Sequence, residues 1–87
     1  MKLIIAIVRD SDSESVTRGL TSADFRVTRI ASTGGILRRG VTTLLVGVED
    51  GQVESAIRLM REKAAPAEAG EKRATVFVVN VDKFVQV

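Results

Sequence analysis

Residues 25–48 read FRVTRIASTGGILRRGVTTLLVGV: two extended apolar segments on either side of a glycine pair. Runs rich in Val, Ile, Thr and Phe around a short glycine-bearing loop predict an antiparallel hairpin. Its strands run from about Phe25 to Ala31 and from Thr42 to Val48, with the loop from Ser32 to about Gly40. The same stretch holds Arg26, Arg29, Arg38 and Arg39 and no carboxylate. The chain has 13 basic and 11 acidic residues, so without these four the remainder is slightly acidic and the net charge of +2 is concentrated here. Thr28, Ser32, Thr33, Thr42 and Thr43 add hydroxyls, while Gly34, Gly35 and Gly40 allow close approach of backbone N–H groups. Together they suit an anion, above all a phosphate ester. The plainer alternative is that Gly-Gly is an ordinary hairpin loop and the arginines are its solvated rim. No G-x-x-x-x-G-K-[ST] loop decides between the two.

Working outward, Lys2–Val8 (KLIIAIV) is a continuous aliphatic run, which predicts a strand central in its sheet and covered on both faces. DSDSE, residues 10–14, predicts a helix start: Ser11 and Glu14 stand at capping-box spacing, and Asp12 and Glu14 suit the positive end of the helix dipole. Val16, Leu20 and Ala23 supply its apolar stripe, which Gly19 weakens. Beyond Glu49-Asp50-Gly51, the positions Val53, Ala56, Ile57 and Met60 recur at i, i+3, i+4 and i+7 and predict a second helix, with Glu54, Arg58 and Arg61 on its solvated side. AAPAEAGEKR, residues 64–73, carries the single proline and reads as a surface loop. ATVFVVNV, residues 74–81, is the last strand, and Lys83–Val87 is expected to continue extended.

The order strand, helix, strand, strand, helix, strand makes residues 1–87 one α+β domain, a ferredoxin-like βαββαβ sandwich with both helices on one face. LIIAIV, TLLVGV and ATVFVV are apolar on both faces, and two helices cover only one of them. Self-association is the simplest cover for the other. A chain this short buries only about 60–65% of its unfolded surface, so a partner subunit would add to a modest core.

The remaining composition narrows the chemistry. There is no cysteine and no histidine, which removes thiolate nucleophiles, disulfides and the usual general base and metal ligand. The carboxylate pairs Asp10 with Asp12 and Glu49 with Asp50 sit where helix starts favour acids. No catalytic residue and no metal site are therefore expected. Phe25, Phe77 and Phe84 are the only aromatics, too few for a stacking platform along a nucleic-acid strand. Leu3–Val8 is too short for a signal-peptide core and nothing approaches a membrane span, so cytoplasm is the expected location.

The segments MKLIIAIVRDSDSE, FRVTRIASTGGILRRGVTTLLVGVED and ATVFVVNVDKF resemble the PII-like cyclic-di-AMP receptor family, with TGG-x-L-R-x-G-x-TT the most specific part. The resemblance implies a PII-like, ferredoxin-like subunit that assembles as a homotrimer and binds a cyclic dinucleotide in each cleft between neighbouring subunits. It further implies a non-enzymatic signalling role passed to a downstream protein. The binding positions it implies are Arg26 and Thr28 on the second strand, Gly35, Ile36 and Leu37 in the loop, Gly47 on the third strand and Gln86 near the C-terminus. Arg26 and Thr28 would meet phosphate, Leu37 an adenine face, and Gln86 a base edge; Leu37 as a subunit contact and Gly47 as relief of crowding are equally open. Three features depart from the family pattern. Ile36 stands where phenylalanine is usual, Val41 where asparagine is usual, and the 64–73 loop is short. They support the alternative of a trimeric adaptor that acts through protein contacts without a ligand.

Overall fold

In the computed structural model, which describes residues 1–32, 40–66 and 72–87, the chain follows the order expected from its patterning. Lys2–Arg9 (β1) leads into Asp10–Ser22 (α1), then Arg26–Ser32 (β2), Val41–Val48 (β3), a 3-10 turn at Asp50–Gln52, Val53–Lys63 (α2) and Ala74–Asn80 (β4). The described strands form one sheet in the order β2-β3-β1-β4, and each neighbouring pair is antiparallel. β1 is central, as its double-sided apolar run predicts. The architecture is the ferredoxin-like α+β sandwich.

Strand periodicity divides the sheet cleanly into two faces. Ile4, Ala6 and Val8 of β1 and Leu44, Val46 and Val48 of β3 are buried and share one core with Val16 and Leu20 of α1 and Ala56 and Met60 of α2. Burying a side chain such as Leu20, which is fully enclosed, stabilises the fold by about 2 kcal/mol. Both helices therefore cover the same face. The opposite face carries Leu3, Ile5 and Ile7, all half-buried, with the exposed Phe77 and Val79 of β4 in register with Ile5 and Leu3. No described element packs over it.

α1 ends in a Schellman motif, with Phe25 N–H donating to the Leu20 carbonyl at 3.0 Å and Asp24 N–H to that of Thr21 at 3.1 Å. Asp24 takes the left-handed conformation this requires, at φ 68°. Leu20 and Phe25, both buried, are the apolar pair that accompanies the motif. The turn sets the direction in which β2 leaves.

Three expectations need correction. The N-cap of α1 is Arg9, with no side-chain cap, so Ser11 and Glu14 do not form a capping box. Asp10 and Asp12 do stand in the first turn of α1, as expected, and both are also buried, their carboxylates bound to groups elsewhere in the chain. Ala23 is exposed, since it already belongs to the C-terminal turn of the helix and not to its stripe. Finally, residues after Asn80 leave the sheet instead of extending β4.

Candidate functional site

The hairpin register assembles the site row by row. Arg26 of β2 stands opposite Gly47 of β3, and Gly47 stands opposite Leu3 of β1. One step along, Thr28 is opposite Leu45, and Leu45 is opposite Ile5. Because cross-strand partners share a face, both rows lie on the side of the sheet away from the helices. A cleft of about 510 Å³ opens over them, lined by Arg26, Thr28, Leu45, Gly47 and Leu3. Met1, Asp24, Val81, Lys83 and Phe84 complete its described lining.

Gly47 keeps the middle of this cleft open. A Cβ built there would come within 3.2 Å of the Met1 side-chain methyl, so any side chain would crowd Met1 and fill the space between Arg26 and Leu3. Met1 is itself held in place, its ammonium lying 3.1 Å from Asp50 Oδ1. The hydrogen bond from that ammonium, and then its charge, lower the Asp50 pKa below the ordinary carboxylate value.

The cleft combines an apolar floor of Leu3 and Leu45 with two cations, Arg26 and Lys83, one carboxylate, Asp24, and the Thr28 hydroxyl. Guanidinium and hydroxyl groups suit phosphate oxygens, and a flat apolar floor suits a base or sugar face. Among the described residues no group of three or more His, Cys, Asp or Glu side chains is placed to hold a metal ion. No helix of the described residues is long and apolar enough to cross a membrane.

Of the residues expected from the sequence, Arg26, Thr28 and Gly47 meet in this cleft. Gly35, Ile36 and Leu37 lie outside the described residues. Gln86 is exposed on the C-terminal tail, and the cleft's described lining stops at Phe84. Met1, Asp24, Lys83 and Phe84 were not anticipated from the sequence. The signal for the last two was a lysine beside an aromatic residue in the tail, with Phe84 one of only three aromatics in the chain.

A second set of contacts lies at the other end of β1. Thr42 Oγ1 donates to the Asp10 carboxylate, and Asp10 N–H donates to the Gly40 carbonyl at 3.0 Å, so α1 is tied to the residues that open β3. Arg9 Nε donates to Asp12 Oδ2 at 2.7 Å, Asp12 Oδ1 accepts from Ala65 N–H at 3.1 Å, and the Arg9 guanidinium donates to the Ala65 carbonyl. The β1–α1 junction thus fastens the chain on the near sides of residues 33–39 and 67–71. Ser32 pairs with Thr42, five positions along β3 from Gly47, or on the order of 17 Å. β2 therefore ends, and β3 begins, at the end of the sheet opposite the cleft.

Comparison with known proteins follows the same lines. A solved structure of a functionally unknown protein from Pediococcus pentosaceus superposes with a TM-score of 0.78 at 29% identity, covering 99% of this chain and 96% of that one. The model of a family described as cyclic-di-AMP receptor matches residues 1–69, which include β1, α1, the hairpin, α2 and three of the four strands that build the cleft face. The chain belongs to the cyclic-di-AMP receptor family.

Proposed function

We propose that this protein is a non-enzymatic receptor that binds cyclic-di-AMP in clefts between the subunits of a homotrimer and signals the occupied state to a downstream protein. The observation that carries the reading is the convergence of Arg26, Thr28 and Gly47 on one cleft at the edge of an uncovered apolar sheet face. Arg26 and Thr28 take the phosphates, while Leu3 and Leu45 lie under the nucleoside. A second copy of the chain laid on the open face covers Ile5, Phe77 and Val79. It also supplies a reason for a site divided between subunits: β2 ends at Ser32, whose partner Thr42 is on the order of 17 Å along β3 from Gly47, so a neighbour is a natural source of Gly35, Ile36 and Leu37.

Titration calorimetry with cyclic-di-AMP, then ATP, ADP and AMP, tests the ligand, and light scattering tests the assembly. The expected result is a trimer that binds cyclic-di-AMP and loses most of that affinity on Arg26→Ala with its assembly intact. A monomer, or silence from all four nucleotides, overturns the reading. A trimer silent to all four is the outcome that favours the ligand-independent adaptor.

A further inference from the structure

The tail after β4 takes an unexpected course. β4 lies at one edge of the sheet and β2 at the other, with β1 and β3 between them. Val81, Lys83 and Phe84 nevertheless line the same cleft as Arg26 and Thr28 of β2. The turn begins where Val81 N–H donates to the Met1 carbonyl at 3.3 Å, which pins the departing chain against the start of β1. From there it runs back toward the open face.

What the tail delivers matches what the cleft otherwise lacks. Lys83 forms no ion pair with a described residue, and it adds a second cation to Arg26. Asp24 is the opposing charge on the same lining. Of the chain's three aromatics, Phe25 is buried and Phe77 belongs to β4, so Phe84 is the ring that lines this cleft. Phe84 is 60% exposed, so the protomer's own core does not account for its position. An exposed ring beside an unpaired ammonium is the equipment for a purine joined to a phosphate.

We propose that Lys83 and Phe84 are specificity-determining contacts: Lys83 engages the second phosphate of a cyclic dinucleotide whose first is held by Arg26, and Phe84 gives one purine a face to stack on. This rests on the functional reading above and goes beyond it by naming what distinguishes a dianionic dinucleotide from a mononucleotide. With both cations present, a ligand carrying two separated phosphodiesters is preferred to 3′,5′-cyclic AMP, which carries one.

The test is calorimetry with cyclic-di-AMP and 3′,5′-cyclic AMP on wild type, Lys83→Gln, Lys83→Arg, Phe84→Leu and Arg26→Ala, with light scattering on each. Lys83→Gln keeps the stem and drops the charge; it should weaken cyclic-di-AMP about fivefold and cyclic AMP hardly at all, and Lys83→Arg should restore the loss. Phe84→Leu keeps apolar bulk and drops the ring, and should weaken cyclic-di-AMP about tenfold. If wild type binds and Arg26→Ala impairs it while the two tail variants bind as wild type does, this inference falls and the receptor reading stands. If the tail variants lose assembly together with binding, the tail is a subunit contact and the inference is overturned. If wild type binds neither nucleotide, both proposals fail.

Discussion

Thr42 and Asp10, 32 residues apart in sequence, are joined inside the protein by a hydrogen bond from the threonine hydroxyl to the carboxylate. Both side chains are almost wholly enclosed, at 1% and 5% exposure. Thr42→Val keeps the shape and removes the donor, leaving a buried carboxylate oxygen with one partner fewer. The expected loss is about 1–2 kcal/mol in urea unfolding, with faster amide exchange at Gly40–Thr42. A stability equal to wild type would mean that the bond contributes nothing net.

Asp12 has an analogous position beside the second loop. Its carboxylate holds Arg9 and the Ala65 N–H together, and its side chain is 6% exposed against 28% for Arg9. Asp12→Ala should cost about 2 kcal/mol, because the Arg9 charge and the Ala65 amide both lose their acceptor. Asp12→Asn, which keeps an acceptor for Ala65, should cost less. Equal losses in chemical denaturation would mean that the charge, and not the amide acceptor, is what matters.

Gly47 separates the cleft from the fold. In Gly47→Ala the new methyl meets only the end of the flexible Met1 side chain, 3.2 Å away. The melting temperature should therefore change little, by the equivalent of about 0.5 kcal/mol or less, while affinity for cyclic-di-AMP falls because the cleft is partly filled. Unaltered affinity would place the ligand away from this row.

Gly19 tests the contact between the helices. A Cβ there lies 2.6 Å from Lys63 Cγ and 3.2 Å from its Cδ, so the lysine stem must move. Ala in a helix is favoured over Gly by about 1 kcal/mol, and the crowding offsets much of this. Gly19→Ala alone should be close to neutral, but in a Lys63→Ala background it should stabilise by about 0.5–1 kcal/mol. A double-mutant cycle with zero coupling would show that the two positions do not touch in solution.

How far the sequence exposed all this depended on whether the signal was local. β1, β3 and the hairpin were legible because continuous Ile, Leu and Val runs have few alternatives as buried strands, and the second helix because Val53, Ala56, Ile57 and Met60 keep one period. Arg26, Thr28 and Gly47 were legible through the family resemblance, and the register then brought them into one cleft. Asp10 and Asp12 were legible as helix-start acids but their burial was not, since an acid at a helix start looks the same in sequence whether it faces water or binds Thr42 and Ala65. Those partners are 32 and 53 residues away. Lys83 and Phe84 escaped notice for a related reason: a short tail after a final strand carries no periodicity that tells where it turns.

The bond between Val81 N–H and the Met1 carbonyl also has a practical meaning. Where the polypeptide enters the sheet and where it leaves are stitched side by side on the rim of the cleft. A fluorophore attached at Asp82, between Val81 and Lys83 of the cleft lining, therefore reports from the cleft's mouth. The layout lends itself to a sensor whose colour changes when the hollow fills.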